Sequence, residues 1–470
     1  MARPASCHPQ LPDRRLVERA HLIRRRVNDR PHVPLTQAMN SSAEIEGAYR
    51  LLENRRVKPA MLLEPALETL IKRLPKRDVL AIHDSTQIRH ATAVDADDTY
   101  ELGLGGFGYL AHATLVIEAT TADVLGIGGL SFVERARKAT GKPSTDTGPR
   151  WGVPGLECLR WADQAIEVDK RLKDGGAAHV VHVMDREADM YEAMMAFDQH
   201  HLNFVIRVSQ TSRLVDTGQA IGLRVAKTVG PATRMATREV GLSMRKKQPP
   251  QSRRAHPTRE PRVAQLEIRA MPLSIRRPVD APKSWKDSIP AGVVHVVEMD
   301  PPDGVDPIRW VLWTNLVLDT PAAVLRVVDI YRRRWLIEET FKVLKSGCHF
   351  EKKRFESAHP SQNALAFYLP IAAELLRLRN LARQGDECAA DSVVDATQLI
   401  VLREFVPHAK LPKRPTVREV VWAIALLGGH LKQNGEPGWS VLARGYEDLR
   451  RLSEAWRRAR SSSVGNEDEM

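Results

Sequence analysis

His179–Ser209 reads HVVHVMDREADMYEAMMAFDQHHLNFVIRVS. Val180, Val181, Val183 and Met184 make a short apolar run bounded by Asp185, the pattern of a strand buried in a sheet. The segment from Tyr191 has helical composition, and Phe204–Ser209 (FVIRVS) is apolar and rich in β-branched residues again. Working upstream, Trp161–Asp174 (WADQAIEVDKRLKD) predicts a helix, and DVLAIHDST from Asp78 predicts a strand that ends in polar residues. Tyr109–Thr120 and Ala122–Gly129 look like a hairpin pair around Thr121. Three strands, a helix, a strand, a helix and a strand predict an α/β fold with a mixed sheet flanked by helices.

Outside this core the pattern changes. Residues 13–74 read as mostly helical, with Arg14, Arg15, Arg24, Arg25, Arg26 and Arg30 clustered and HVPLT as a break between helices. Residues 212–307 interrupt the alternation of strand and helix. Within them, Gly241–Val263 holds seven Lys or Arg, one acid and four prolines, which suits either a solvated linker or a basic loop along a phosphate backbone. The last hundred or so residues are helical and arginine-rich, and SSSVGNEDEM is expected to be a frayed tail.

Composition narrows the function. Lys plus Arg number 70 against 58 Asp plus Glu, a formal charge of +12, so a polyanion is the first partner to consider. Hydrophobic residues make up 43% of the chain, enough for real cores and too many for a disordered protein. The longest apolar run, Val420–Leu427 (VVWAIALL), is far below the roughly 18 residues of a membrane span. The N-terminus lacks an apolar secretion signal. Cys7, Cys158, Cys348 and Cys388 form no CxxC pair, which excludes a cysteine zinc module and suits a reducing cytoplasm.

Chemistry points to three carboxylates. Asp84 and Asp185 are each expected at the carboxyl end of a strand, where open sheets flanked by helices place ligands. Tyr331–Gly347 (YRRRWLIEETFKVLKSG) has the form Y-x2-R-x3-E-x6-K, with Tyr331, Arg334, Glu338 and Lys345. On one continuous helix these four fall at roughly 0°, 300°, 340° and 320°, with Lys342 at about 20°. Ile330, Ile337, Phe341 and Leu344 form the adjoining apolar stripe. The polar stripe is about 21 Å long, too long for one small molecule and suited to successive phosphates of a nucleic acid strand. An exposed salt-bridge face would explain Arg334 and Glu338, though not a net-basic stripe with a tyrosine beside the core.

These residues carry a family resemblance. The chain resembles DDE transposases of the insertion-sequence-four family, in particular the transposon-five type. It shows the Y-x2-R-x3-E-x6-K signature complete, the second-aspartate motif as Asp185–Asp189 (DREAD), and the first as Asp84-Ser85-Thr86. EGAYRLLEN at Glu46–Asn54 and AIALLGGHL at Ala423–Leu431 extend the match over almost the whole chain. The lead-in before Asp13 is shorter than in relatives, and His83 stands where an acid is expected.

The resemblance implies an RNase H-like catalytic core in which Asp84, Asp185 and Glu338 are catalytic and hold two Mg²⁺ ions, with Mn²⁺ as a substitute. It implies cut-and-paste transposition by nicking, hairpin formation and opening, and strand transfer, at the inverted repeats of a transposon end and in target DNA. Trp310, 21 residues before Tyr331, matches the tryptophan that stacks on a flipped base, with Trp313 left to packing. Arg207, 22 residues after Asp185, matches a DNA-contacting arginine. Tyr331, Arg334, Lys342 and Lys345 complete the expected DNA-binding set. The expected layout is a helical end-binding domain at 1–70, the catalytic domain at 71–371 with a β-rich insertion at about 212–307, and a helical dimerisation segment at 372–470. The active species would be a homodimer in a bacterial cytoplasm, with no membrane partner. The alternatives are an inactive or domesticated DNA-binding inhibitor of transposition, and another RNase H-like nuclease.

Overall fold

The computed structural model describes residues 11–90, 100–102, 106–133, 157–242, 244, 258–383, 388–431, 433 and 435–465. Four helices come first: α1 (Arg14–Asp29), the single turn α2 (Leu35–Ala38), α3 (Ser42–Glu53) and α4 (Pro59–Lys72). Strands β1 (Val79–Arg89), β2 (Tyr100–Glu101), β3 (Phe107–Glu118) and β4 (Val124–Val133) follow. Next come α5 (Arg160–Asp174), β5 (Val180–Met184), α6 (Tyr191–Gln199) and β6 (Asn203–Arg207). The predicted interruption is β-rich, with β7 (Leu214–Asp216), β8 (Leu223–Arg224), the short helix α7 (Val225–Thr228), β9 (Thr233–Leu242), β10 (Arg262–Arg276) and β11 (Ser288–Met299). Most of the basic stretch between β9 and β10 lies outside the described residues, as do Cys7 and the last five residues of the polar tail. The chain ends with β12 (Arg309–Thr314), α8 (Pro321–Arg332), α9 (Trp335–Lys342), a π-helical turn (Val343–Gly347), α10 (Ala358–Arg383), α11 (Ala396–Phe405), α12 (Val417–Leu427) and α13 (Trp439–Gly465). The fold is mixed α/β, and among the described residues no helix is long and apolar enough to cross a membrane.

The chain forms two compact units. The first takes Met1–Pro143, Lys170–His179 and Trp335–Met470; the second takes Ser144–Asp169 and Val180–Arg334.

In the first unit β3 is the central strand. β1 pairs antiparallel along one edge, from Val79 opposite Glu118 to Arg89 opposite Gly108, and β4 takes the other edge. Val79–His83 are wholly buried, so β1 is covered on both faces and reads as a continuous apolar run. Helices α4 and α10 pack on β4, and α10 also meets α3, α4 and α12. Two glycines of the sequence motifs permit close helix packing. A Cβ on Gly47 of α3 would overlap the Arg19 guanidinium of α1, and one on Gly428 would stand 2.2 Å from the Val441 carbonyl of α13. The LLGGH motif therefore marks a helix crossing at backbone distance, and EGAYR a seat for the Arg19 side chain.

In the second unit the strand order runs β5-β6-β12-β11-β10, with β9 and the β7–β8 pair attached to β10. β5 and β6 are parallel and joined by α6, the strand–helix–strand pattern read from His179–Ser209. β12 then pairs antiparallel with β6 and β11. The core beneath gathers Trp161, Tyr191, Phe197, Phe204, Ile206 and Trp313.

Candidate active site

Asp84 stands within β1, and not at its end as expected. Pairing continues five residues further, from Ser85 opposite His112 to Arg89 opposite Gly108, because β3 is long enough to keep its ladder partners. The Asp84 carboxylate is half-buried, and its Oδ1 accepts the Ser85 N–H at 2.8 Å. Strand alternation sends His83 to the other face. There its Nδ1 lies 2.9 Å from the Thr114 hydroxyl, in full burial.

Glu338 lies in the first turn of α9, half-buried, and α9 packs on β1. The elements that carry Asp84 and Glu338 are thus neighbours within the first unit. Glu339, beside it, is held by the Trp439 indole N–H at 3.3 Å and flanked by Lys342 at 3.7 Å and Arg379 at 3.8 Å.

The single straight helix expected from Tyr331 to Lys345 is not what forms. α8 ends at Arg332, Arg333 and Arg334 make a turn, and α9 restarts at Trp335. The amides of Arg333 and Arg334 bond three residues back, to Ile330 and Tyr331, which tightens the backbone and redirects it. After Lys342 the chain widens into the π-helical turn, closed by Cys348 N–H to the Val343 carbonyl at 2.9 Å. Angles counted at a uniform helical step therefore fail on both sides of Glu338. Tyr331 and Arg334 fall in the second unit, and Glu338, Lys342 and Lys345 in the first. Lys342 is exposed, whereas the Lys345 ammonium donates to the Gln87 carbonyl of β1 at 2.6 Å and lies 3.5 Å from Glu351.

In the second unit Asp185 follows directly on Met184, the last residue of β5, and opens a 3₁₀ turn over Arg186–Ala188. Its carboxylate is half-buried and caps nothing in that turn. Arg207 ends β6 opposite Leu312 of β12. Trp310 is half-buried on β12, its ring edge-to-face with Tyr331 at a centroid distance of 5.8 Å. Tyr331 is only 5% exposed, so it belongs to the packed interior and not to a surface stripe. Burial pushes the Tyr331 hydroxyl pKa up, the Asp185 charge pushes it further, and Arg334 and Arg207 oppose both. The hydroxyl consequently keeps its proton at neutral pH and can act as a donor. Asp185, Arg207, Trp310, Tyr331 and Arg334 form one neighbourhood.

Sequence reasoning missed Asp189, the last residue of DREAD. Its buried carboxylate accepts Ser209 N–H at 2.7 Å, the Ser209 hydroxyl at 3.1 Å, Gln210 N–H at 2.9 Å, Arg213 at 3.1 Å and the Trp313 indole at 3.2 Å. It ties the end of β6 to β12 just beyond the Asp185 turn. The spacing of two aspartates four residues apart after a strand was the available signal. Trp313 is the packing tryptophan, fully buried. Among the described residues no group of three or more His, Cys, Asp or Glu side chains is gathered as a metal site. The carboxylates themselves are hard oxygen donors of the kind Mg²⁺ prefers, and Asp185 has no hydrogen bond from the turn it opens.

Two stretches of the chain match known families. Residues 163–370, which include Asp185 and Glu338, match the transposase DDE domain family, and residues 5–57 match the transposase DNA-binding family. Both matches are to transposase families. The chain, in particular, carries a DDE transposase domain preceded by a transposase DNA-binding domain. Among solved structures, a piggyBac transposase synaptic complex with hairpin DNA is similar with a TM-score of 0.31 and 9% identity. That likeness covers 79% of this chain and 66% of the other, and is too slight to define the fold.

Proposed function

We propose that this chain is a metal-dependent cut-and-paste transposase that resembles the insertion-sequence-four family, transposon-five type. Its catalytic carboxylates are Asp84, Asp185 and Glu338, carried by an RNase H-like domain at 71–371. The proposed end-binding domain at 1–70 encloses the DNA-binding match at 5–57, and the segment 372–470 is proposed to pair two copies in a synaptic complex. The observation that carries the reading is the placement of Asp185 and Glu338 inside the DDE match: one directly follows a buried strand, and the other lies on a helix packed against the Asp84 strand.

Asp84, Asp185 and Glu338 would hold the divalent ions. When bound, these ions polarise the scissile phosphate and favour the ionised attacking hydroxyl. The protein's own groups do the rest. Arg207 and Arg334 supply fixed cationic donors beside Asp185, where a scissile phosphate gathers negative charge. The protonated Tyr331 hydroxyl adds a neutral donor in the same neighbourhood. Trp310 offers an aromatic surface for a base displaced when the freed 3′-hydroxyl attacks the opposite strand to close a hairpin. Exposed Arg14, Arg15 and Arg25 on α1 suit contact with phosphates of the transposon end.

The test is strand cleavage of labelled transposon ends in Mg²⁺ or Mn²⁺. Asp84→Ala, Asp185→Ala and Glu338→Ala should each abolish nicking while end-binding persists, since each removes a metal ligand and leaves the DNA-binding helices intact. Substantial metal-dependent nicking by any one of them would remove that residue from the active site.

A further inference from the structure

A second basic site lies in the first unit, among the C-terminal helices. There α10, α12 and the start of α13 enclose a pocket of about 250 Å³, lined by Arg379, Arg383, Arg418, Trp422, Glu436 and Leu442. Its lining carries three arginines and one carboxylate. Arg383 and Arg418 are exposed and make no ion pair among the described residues, and Glu436 makes none either. The lining is therefore net positive, with the charges of Arg383 and Arg418 unpaired.

Arg379 is the fixed member of the three. Its guanidinium lies 4.2 Å over the Trp439 ring, which sets its plane, and its Nη1 stands 3.8 Å from Glu339. Its Nε is buried with no hydrogen-bond partner. Burial lowers the Arg379 pKa, the neighbouring charge of Arg383 lowers it further, and Glu339 and Glu436 oppose both in part. A further anion in the pocket would add to that opposition and pair with Arg383 and Arg418. The volume is below the roughly 300–1,000 Å³ of pockets for drug-sized ligands, and leaves room for a small oxyanion together with water.

We propose that this pocket binds a phosphate-class oxyanion, held by Arg379, Arg383 and Arg418. The inference rests on the pocket alone and does not depend on the catalytic reading. The anion is either free in solution or the phosphate of a DNA strand, and the same arginines serve both.

The experiment titrates the full chain with inorganic phosphate at constant ionic strength, with chloride as control, by calorimetry and by tryptophan emission from the Arg379–Trp439 stack. Saturable binding is expected for phosphate and not for chloride. Arg383→Gln/Arg418→Gln removes two exposed side chains, so the fold should survive, as circular dichroism can check. Its affinity for phosphate should fall on the order of tenfold for each arginine lost. Arg451→Gln/Arg458→Gln, which removes equal charge elsewhere on α13, should leave the affinity unchanged. A duplex without terminal phosphates that displaces the bound phosphate identifies DNA as the source, and one that does not identifies a free anion. No saturable binding by the unaltered chain, or an equal loss in both double variants, would overturn the proposal.

Discussion

Asp189 gives the most demanding test of the second unit. Its side chain is fully buried, and its partner Arg213 is 5% exposed. Asp189→Ala would leave a buried guanidinium without its counter-charge and would strip the acceptor from Ser209, Gln210 and Trp313. Removing one member of a buried ion pair costs about 3–5 kcal/mol. For a unit in the range of roughly 150–250 residues, this lowers the melting temperature by about 6–20 °C. The damage should be local, because the lost bonds converge on the segment after β6. Hydrogen exchange at the Ser209 and Gln210 amides should accelerate before exchange in the β10–β11 hairpin does. Asp189→Ala/Arg213→Met removes the orphaned charge as well and should recover about half of the loss. A melting shift of less than about 2 °C for Asp189→Ala, or unchanged exchange at Ser209 and Gln210, would refute the role assigned to this carboxylate.

Two further predictions concern charge. Neutralising exposed Lys342 should flatten the dependence of log affinity for DNA on log salt by about 0.9, whereas Lys345→Met should change it less, because Gln87 and Glu351 already hold that ammonium. Equal changes for the two would mean that Lys345 leaves its β1 partners to meet DNA. His349 is packed on His32 at 4.2 Å, and burial, with the charge of His32 next, pushes its pKa down to about 4. Between that value and the unfolded one near 6.5 the unfolded chain binds more protons, so stability should rise with pH across this window. His349→Asn, tolerated at its φ of 51°, should shallow that rise in urea midpoints measured from pH 4 to 7, and an unaltered slope would assign the titration elsewhere.

Much of the frame was legible in the residues. The strand–helix–strand run from His179 carried its own boundaries, because Asp185 ends an apolar run and the helix after it has a different periodicity. The β-rich character of 212–307 showed in the residues only as a loss of rhythm, since β9 alternates half-buried and exposed positions while β11 is buried along Gly292–Val296 and the two give no common period. The site was harder to read. Arg14, Arg15, Arg24, Arg25, Arg26 and Arg30 appeared equivalent in sequence, yet Arg14 pairs with Glu18 on its own helix and three others have partners outside it. Arg24 donates to the Leu62 carbonyl at 2.6 Å, Arg26 pairs with Glu44 at 2.7 Å, and Arg30 bonds the Gln37 carbonyl. Such partners come from distant helices and leave no local pattern.

The signature around Glu338 was misread for a different reason. Its residue types implied one amphipathic helix, and periodicity alone does not report the Arg333–Arg334 turn or the π-helical turn that follows. Tyr331 is consequently an interior residue packed on Trp310, and Lys345 a brace for β1. Asp84 was placed at a strand end because polar residues followed it, but the ladder with β3 outweighs that local preference.

The hairpin reaction tests the central claim most directly. Ends from the inverted repeats flanking the gene would be labelled, incubated with the protein and Mg²⁺, and resolved on a denaturing gel. The unaltered protein should yield nicked ends that convert to hairpins. Trp310→Ala should nick at nearly the same rate and close hairpins about ten- to a hundredfold more slowly, since base stacking contributes about 1–3 kcal/mol. Cleavage that proceeds by hydrolysis alone, with no hairpin from the unaltered protein, would contradict the cut-and-paste reading in favour of a generic nuclease.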